Sequence, residues 1–272
     1  MTDAAPAIGL IAGYGMFPLE VIAQLKAQGY TVHAIAAKEE TSKTIEQYAD
    51  SVQWLHVGQI GSMIKALQKA KVDEVIMAGK VRKLHLFRNF RPDLVALKSL
   101  LSLPNRKDDT LMLEITRLLQ EAGIRVCSQV ALAGDMLAGG GHLFGPKPSK
   151  ATLHDLPFGI EQAHGIAALD IGQTIVIQQG AVLAVEAIEG TDEAIRRGGA
   201  LGNGKAVVIK IAKPNQDLRF DVPAIGPDTL HNMHASGCIA IAIQAGVTLL
   251  IEREKLAALA NKLKITVYGF EP

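Results

Sequence analysis

The N-terminal segment constrains the fold more than any other part of the chain. Ala7–Ala12 (AIGLIA) is a short, isoleucine-rich apolar run that predicts a buried strand. It ends in the glycine turn Gly13–Gly15, and a helical pattern then runs to about Gln28 before a second strand at Tyr30–Ala36. The order strand, glycine turn, helix, strand is typical of the start of a doubly wound α/β domain.

The glycine turn is the first candidate ligand contact. Gly13, Tyr14 and Gly15 precede the helix, where glycines allow backbone N–H groups to approach a phosphate. The dinucleotide fingerprint is incomplete, because Pro18 occupies the third glycine position and no ribose-binding acid ends the second strand at Ala36. The pattern therefore indicates a generic phosphate- or ligand-contacting turn. The alternative is a tight turn that needs glycine only for its backbone angles.

The α/β alternation continues through the first half of the chain. A strand at Val52–Val57, a helix at Ile60–Ala70 and a strand at Glu74–Ala78 are predicted. The last of these strands ends in Gly79-Lys80. Because ligands of open α/β sheets bind at the carboxyl ends of strands, we expect Lys80 and the glycine turn to converge on one crevice.

Two charged segments follow. Residues 81–94 (VRKLHLFRNFRPDL) interleave basic with apolar and aromatic side chains. This pattern suits contact with anionic lipid head groups or phosphate, and it equally suits an ordinary amphipathic loop and helix. Asp108 and Asp109 then precede a predicted helix at Leu111–Ala122. One aspartate is explained as a helix N-cap, which leaves Asp109 as a candidate metal or substrate ligand.

Composition and punctuation predict two domains. The chain has 272 residues, of which 49% are apolar and 20% charged, as in packed globular proteins. Residues 139–158 are rich in glycine and proline and predict a linker. It joins a Rossmann-like N-terminal domain, residues 1–138, to an α/β C-terminal domain, residues 159–272.

Charge, cysteine content and hydropathy exclude several classes of protein. The net charge of +1 gives no general reason to expect nucleic-acid binding. The two isolated cysteines fit a reducing cytoplasm. No apolar run approaches the roughly 18 residues of a spanning helix, so any membrane contact is expected to be peripheral.

The C-terminal half offers a second candidate ligand segment. After Gly172-Gln173, two short apolar runs flank Gln178–Gly180 and predict a hairpin. The second run leads into residues 189–192 (EGTD), and a helix is predicted to follow. A helix N-terminus with adjacent carboxylates indicates either a capped helix or a metal–phosphate site.

The segment Lys213–Asp228 (KPNQDLRFDVPAIGPD) concentrates charge after a predicted strand at Ala206–Ala212. Asp217, Arg219 and Asp221 alternate, and in an extended segment alternate side chains share one face. Two carboxylates on a strand end hold a hard divalent cation, and an arginine there holds a phosphate. The alternative is a solvated edge strand whose charges pair with one another.

Five motifs, in order along the chain, carry a resemblance to a known family. They are GLIAGYGMFP, MAGKV, KDDTL, LDIGQTIVIQQGAVLAVEAIEGTDEAIRR and KPNQDLRFDVPAIGPDTL. Together they resemble the UDP-2,3-diacylglucosamine pyrophosphatase of lipid A biosynthesis, of the type unrelated to calcineurin-like phosphoesterases. The resemblance covers essentially the whole chain. It implies an α/β fold with a Rossmann-like N-terminal domain and a family-specific C-terminal domain.

The resemblance also implies an activity. This is the Mg²⁺-dependent hydrolysis of UDP-2,3-diacylglucosamine to UMP and 2,3-diacylglucosamine 1-phosphate (lipid X). A homodimer on the cytoplasmic face of a Gram-negative inner membrane is expected to carry it out. The essential aspartate of the family falls on Asp221, within RFDVPAIGP.

The expected site residues follow from the motifs. The catalytic residue is Asp221, which is expected to hold Mg²⁺ or to orient the attacking water, with Asp217 a lesser candidate. The expected metal ligands are Asp221, Asp109, Glu189 and Asp192. The expected substrate contacts are Gly13, Tyr14, Gly15, Lys80, Gln173, Gly190, Thr191, Lys213 and Arg219.

Two other classes of function stay open from the residues alone. One is a nucleotide-sugar oxidoreductase that uses the Rossmann-like half, which would bind NAD(P). The other is a non-catalytic carrier of a lipid or nucleotide, which would release no UMP from the substrate.

Overall fold

A computed structural model describes residues 5–81, 91–103 and 108–271, without the side chains of Ser102, Asp108 and Asp109. The chain divides into two compact units. The first contains Met1–Ala133 and the short segment Leu218–Phe220. The second contains Gly134–Asp217 and Asp221–Pro272. The chain therefore leaves the second unit after Asp217, contributes three residues to the first unit, and returns at Asp221.

The first unit is built on a parallel sheet of five strands in the order β3-β2-β1-β4-β5. The strands are Ala7–Ala12 (β1), Thr31–Ala37 (β2), Ser51–Leu55 (β3), Glu74–Ala78 (β4) and Arg125–Val126 (β5). The described helices of this unit are Phe17–Ala27 (α1), Ile60–Lys69 (α2), Leu94–Ser102 (α3), Asp108–Glu121 (α4) and Gln129–Leu132 (α5), with a 3₁₀ turn at Lys43–Gln47. The strand order reverses between β1 and β4, which makes their carboxyl ends the topological switch point of the sheet.

Burial on both faces explains the apolar runs in this sheet. In β4, Val75 and Met77 belong to an apolar cluster that includes Leu119. Ile76, between them, is also buried and faces the opposite side, because successive residues of a strand alternate. Phe220 packs against the same cluster and so anchors the segment Leu218–Phe220 in the first unit. The predicted doubly wound α/β architecture is confirmed.

The second unit contains a mixed six-stranded sheet in the order β6-β13-β11-β9-β7-β8. The strands are Gly141–Phe144 (β6), Thr174–Gln178 (β7), Ala181–Val185 (β8), Ala206–Lys210 (β9), Cys238–Gln244 (β11) and Thr266–Phe270 (β13), while Ala224–Ile225 (β10) and Leu249–Leu250 (β12) form a separate parallel pair. Strands β9, β11 and β13 are parallel, and β7 runs antiparallel to β9. The helices are Lys150–Ala168 (α6), Thr191–Leu201 (α7), Pro227–Ser236 (α8) and Arg253–Leu263 (α9).

This second sheet separates two apolar cores. Val208 belongs to one buried cluster, whereas Val207 and Ile209 belong to the other. The same alternation places Val176 in the first cluster and Ile175 in the second. Because side chains alternate along a strand, β7 and β9 each contribute to both cores and are apolar at successive positions. The hairpin predicted around residues 178–180 is confirmed by the antiparallel pairing of β7 with β8.

The predicted linker at residues 139–158 contains regular secondary structure. It contains β6, which pairs with β13, and it contains the start of α6. The Ser149 hydroxyl caps that helix by accepting from Thr152 N at 3.0 Å. Glycine serves close packing here, because a Cβ on Gly269 would lie 1.8 Å from the Gly139 carbonyl oxygen. The first compact unit ends at Ala133, whereas the sequence placed the domain boundary at residue 138.

The carboxyl ends of β1 and β4 approach each other closely. Gly13 N donates to the Ala78 carbonyl at 2.8 Å. A Cβ on Gly13 would lie 2.6 Å from the Lys80 carbonyl oxygen, and one on Gly79 would lie 2.8 Å from the Tyr14 carbonyl oxygen. Gly79 also has a φ of +91°, a conformation that side chains disfavour. Glycine is therefore required at both positions.

We expect Gly79→Ala to lower the free energy of unfolding by about 3 kcal/mol, because it combines a left-handed backbone with a backbone clash. Gly29→Ala is the matched control, since Gly29 has a φ of +85° and open space where the Cβ would be. The control should cost about 1 kcal/mol. Urea denaturation followed by circular dichroism measures both, and equal losses would show that the clash is relieved without cost.

Candidate functional site

The switch point of the first unit brings two of the predicted ligand turns together. Tyr14 N donates to the Lys80 carbonyl at 2.7 Å, and Lys80 N donates to the Tyr14 carbonyl at 3.1 Å. The glycine turn and Gly79-Lys80 thus lie side by side, as the strand-end argument predicts. Lys80 is exposed at this edge.

The three positions of the glycine turn have different structural roles. Gly13 makes the close backbone contact with the β4 end, so its bare Cα is used inside the protein. Gly15 has a φ of +105° and nothing within 4 Å of its missing Cβ, so its backbone faces open space. Tyr14 is 47% exposed. Helix α1 then begins after Met16, which gives it no side-chain cap. Gly15 is therefore the glycine of this turn whose backbone a ligand can approach.

A carboxylate–histidine pair lies near the carboxyl ends of β2 and β3. The Glu39 carboxylate is hydrogen-bonded to His56 Nδ1, and both side chains are largely buried. Gln59 Oε1 accepts from His56 N at 2.8 Å and fixes the same turn. Burial raises the pKa of Glu39. Interactions with His56 and with backbone N–H donors lower it by more, so the pKa of Glu39 lies below its ordinary value. No local sequence pattern indicates this pair, because its members follow different strands.

The second unit collects several predicted substrate contacts at one edge of its sheet. The start of β7 and the end of β9 are paired, so Gln173 and Lys213 lie near the same edge. Gln173 accepts from Ile211 N at 3.0 Å, and its Oε1 accepts from Gln216 Nε2 at 3.2 Å. Lys213 Nζ forms an ion pair with Asp170 at 2.8 Å. This edge therefore presents an amide and an ammonium beside the end of β9.

A buried polar network lies at the same edge and includes residues that the sequence did not single out. Lys210 Nζ donates to Thr191 Oγ1 at 3.1 Å, and the Thr191 hydroxyl donates to Glu186 Oε1 at 2.9 Å. Thr174 Oγ1 is 3.4 Å from Thr191 Oγ1. Thr191 opens helix α7 after Gly190, whose φ is +87°. The only sequence signal for Lys210 is a charged residue at the end of the apolar run AVVIK.

The predicted extended strand through Asp217, Arg219 and Asp221 is wrong. Residues 218–220 form a turn, and Asp221 N donates to the Asp217 carbonyl at 2.9 Å. One helical-type turn therefore separates the two aspartates, and the period-2 argument for a shared face does not apply. Arg219 lies in the segment that belongs to the first unit, whereas both aspartates belong to the second.

Packing explains why this segment turns. The Leu218 carbonyl accepts from Gln129 N at 2.8 Å and from Ser128 Oγ at 3.3 Å. Phe220 packs against the apolar cluster of the first unit. The Leu218 carbonyl and the Phe220 side chain, on either side of Arg219, are therefore held by tertiary contacts and not by a neighbouring strand. Asp217, Arg219 and Asp221 are all partly buried.

The predicted metal ligands have distinct surroundings. Glu189 forms an ion pair with Arg197. The pKa of Glu189 is lowered, first by a hydrogen bond from its own backbone N–H and then by the hydrogen bond from Arg197. Asp192 is exposed in the first turn of α7. Asp109 lies in α4, with its side chain outside the described part of the chain. Among the described residues, no group of three or more His, Cys, Asp or Glu side chains is placed to hold a metal ion.

Comparisons with known proteins match both halves of the chain. The family model of the LpxI N-terminal domain matches residues 7–136, and that of the LpxI C-terminal domain matches residues 139–268. A curated relative from Caulobacter vibrioides is named UDP-2,3-diacylglucosamine pyrophosphatase LpxI. It is 32% identical over 276 residues, which cover 97% of this chain and 98% of the relative.

Two solved structures that match the chain are weakly similar to it. The Bordetella bronchiseptica enzyme WbmG, solved with NAD and UDP, has 15% identity and a TM-score of 0.28 over 43% of this chain and 34% of its own. Biotin carboxylase from Campylobacter jejuni has 14% identity and a TM-score of 0.30 over 73% of this chain and 42% of its own. The chain thus spans less than half of either protein, and scores this low carry no argument about fold or function.

The two cysteines of the chain lie in surroundings that disfavour the thiolate. Burial raises the pKa of Cys238 to about 12. Burial also raises the pKa of Cys127, against the opposing charge of Arg125. Both thiols are buried, and the raised pKa values lower the fraction of the reactive thiolate in each. These surroundings favour a structural role for both cysteines.

We expect neither cysteine to react with 5,5′-dithiobis(2-nitrobenzoic acid) at pH 8 in the folded protein, because raised pKa values keep both thiols protonated. The same protein unfolded in guanidinium chloride is the control and should release two equivalents of thionitrobenzoate, one from each cysteine. Absorbance at equilibrium and its time course measure both states. Labelling of the folded protein at the rate of a free thiol would contradict the assignment.

Proposed function

The chain belongs to the LpxI family, and we propose that it hydrolyses the pyrophosphate bond of UDP-2,3-diacylglucosamine in lipid A biosynthesis. The products are UMP and 2,3-diacylglucosamine 1-phosphate. The observation that carries this proposal is the match of both halves of the chain to the family models, with a relative of that name aligned along nearly its whole length. In the proposed reaction a water molecule attacks the phosphorus directly.

Hydrolysis of a pyrophosphate must neutralise the charge that builds up on phosphoryl oxygens and must place a water in line with the scissile bond. We assign the first task to Lys80, Lys213 and Arg219. Lys80 is exposed at the switch point of the first sheet. Lys213 is paired with Asp170, whose side chain is 75% exposed, so this solvated ion pair is weak and opens readily to a phosphate.

Asp221 carries the second task. Its partly buried carboxylate directly follows the turn that is anchored by Leu218 and Phe220, so its backbone position is well determined. A fixed carboxylate orients a water by accepting its proton in a hydrogen bond. In the proposal, the Gln173 side chain and the Thr191 backbone N–H at the start of α7 contribute hydrogen bonds to the substrate from the edge of the second sheet, and Gly190 leaves room beside them.

Mg²⁺ is the proposed cofactor, and the residues fit it in a restricted way. Proteins commonly hold Mg²⁺ with one or two carboxylates together with substrate phosphates, so a three-carboxylate cage is unnecessary. Asp221 is the proposed protein ligand, with Asp109 as a candidate second. Glu189 and Asp192 fit less well, since Arg197 already pairs with the first and the second is exposed on α7. When bound, Mg²⁺ would neutralise charge on the pyrophosphate oxygens.

The two acyl chains of the substrate require apolar protein surface. In the described part of the second unit, Ile188 is 95% exposed and Leu169 is 70% exposed, so both side chains are candidate contacts for an acyl chain. No described helix has the length and hydropathy needed to cross a bilayer. We propose peripheral contact with the cytoplasmic face of a Gram-negative inner membrane, and a homodimer stays a prediction. Phe87 and Phe90, the other apolar candidates, lie outside the described residues.

We expect the purified protein to release UMP from UDP-2,3-diacylglucosamine with Mg²⁺ and to lose this activity with EDTA, because the metal neutralises the pyrophosphate. Chromatography of the nucleotide products measures the reaction, and restoring excess Mg²⁺ to the chelated sample is the control. Substrate binding without UMP release would favour a carrier. Turnover coupled to NAD(P) would favour an oxidoreductase.

We expect Asp221→Asn to lower kcat by at least about a hundredfold, because an amide of the same shape neither accepts the water proton nor holds the cation well. Asp228→Asn is the matched control, since Asp228 is an exposed aspartate in the first turn of α8. The control should retain normal turnover. Steady-state UMP release by the two folded variants measures the effect, and a near-normal rate for Asp221→Asn would remove this residue from the mechanism.

A further inference from the structure

The polar network at the end of β9 contains a buried charged pair that the proposed reaction does not yet use. Lys210 is 6% exposed, although the four residues before it in β9 are apolar and buried. Its ammonium donates to Thr191 Oγ1, and the Thr191 hydroxyl donates to Glu186 Oε1. Both roles of the hydroxyl, acceptor and donor, are therefore filled in one defined geometry.

Burying these charged groups is energetically unfavourable compared with burying apolar side chains. Removing an ammonium and a carboxylate from water costs several kcal/mol each, and apolar residues of similar volume often serve stability equally well. Glu186 is 9% exposed, and its Oε2 is buried without a hydrogen-bond partner among the described residues. A cluster present only for stability would gain by being apolar. The charges therefore indicate a task for the group that they hold, which is Thr191.

The segment around Thr191 needs an external support. Gly190 precedes it with a φ of +87°, and no side chain caps helix α7 at this residue. A glycine at this point leaves the backbone free to adopt several conformations. The contacts from Lys210 and Glu186 reach α7 at its first residue, so they restrict the turn where a capping side chain is missing.

We infer that Lys210 is a positioning residue for substrate binding, which acts by holding Thr191 and the Gly190 turn in one orientation. Glu186 sets the direction of the Thr191 hydroxyl proton. This inference rests on the proposed function, in which Gly190 and Thr191 contact the substrate. Lys210 itself does not touch the reacting atoms. It spares the substrate the entropic cost of ordering the turn on binding.

The test compares Lys210→Met, which keeps the length of the side chain, with Thr191→Val, which keeps its shape. Each should raise KM for UDP-2,3-diacylglucosamine about tenfold, as expected when a hydrogen bond to a charged group is lost, with kcat within about twofold. The double variant should be no worse than either single variant, because both remove the same support. Thr191→Ser, which restores the hydroxyl, should recover most of the affinity.

Lys205→Met is the matched control, since Lys205 is an exposed lysine just before the other end of β9. It should leave KM unchanged. Thermal unfolding of every variant separates loss of fold from loss of positioning. If Lys210→Met lowers the melting temperature but leaves KM normal, the network is structural and the inference is overturned. It is also overturned if the effects of the two single variants multiply in the double variant.

A binding measurement keeps this inference distinct from the proposed function. Calorimetric titration of UDP-2,3-diacylglucosamine into Asp221→Asn, with and without Lys210→Met, reports affinity without turnover. A tenfold loss of affinity on Lys210→Met, together with no UMP release by the wild type, would support the positioning role and overturn the hydrolase. UMP release by the wild type with equal affinities in the two titrations would overturn the positioning role alone.

Discussion

Strand β9 is the constraint on which the second unit depends. Its residues face two separate apolar cores, so each position from Ala206 to Ile209 is fixed by packing. The last residue, Lys210, keeps its place in the ladder opposite Thr174 while its ammonium turns to Thr191. The chain that continues beyond β9 supplies Lys213 and then Asp221. The starting point of the segment that carries Lys213 is thus set by a strand that has little freedom to move.

In the first unit, close backbone packing fixes the strand ends at the candidate ligand site. The carboxyl ends of β1 and β4 meet at the reversal of strand order, where α/β sheets usually bind their ligands. Two of the glycines that stand out in the sequence, Gly13 and Gly79, are required for packing, because they allow the two backbones to approach closely. Gly15 keeps an open side. A glycine-rich turn can therefore look like a ligand loop while most of its glycines serve packing.

The parts of the fold that could be predicted are those encoded locally. The run AIGLIA and the alternation of strands and helices predict the α/β class, because buried parallel strands are apolar at successive positions. The hairpin at residues 178–180 has a local turn signal. Residues 139–158 are rich in glycine and proline but contain β6 and the start of α6. Glycine here permits close packing, and Pro157 lies inside α6.

The site was harder to predict because its contacts join distant segments. Lys210 meets Thr191, and Glu39 meets His56, across gaps that carry no local pattern. The roles of the predicted site residues stay predictions, although the strand ends bring Tyr14 and Lys80 together as expected. Local patterns describe the elements of this chain, and tertiary contacts decide which of their side chains meet.

The turn at Asp217–Asp221 shows why a local pattern failed at the most important place. Alternating charges predict a strand only if a neighbouring strand accepts the backbone hydrogen bonds. Here the Leu218 carbonyl is taken by Gln129, and Asp221 N is satisfied within the turn by Asp217. Burial of Phe220 in the cluster of the first unit stabilises that choice. The orientation of Asp221 therefore depends on an apolar side chain one residue away, and a change at Phe220 would disturb the proposed chemistry without touching a charged group.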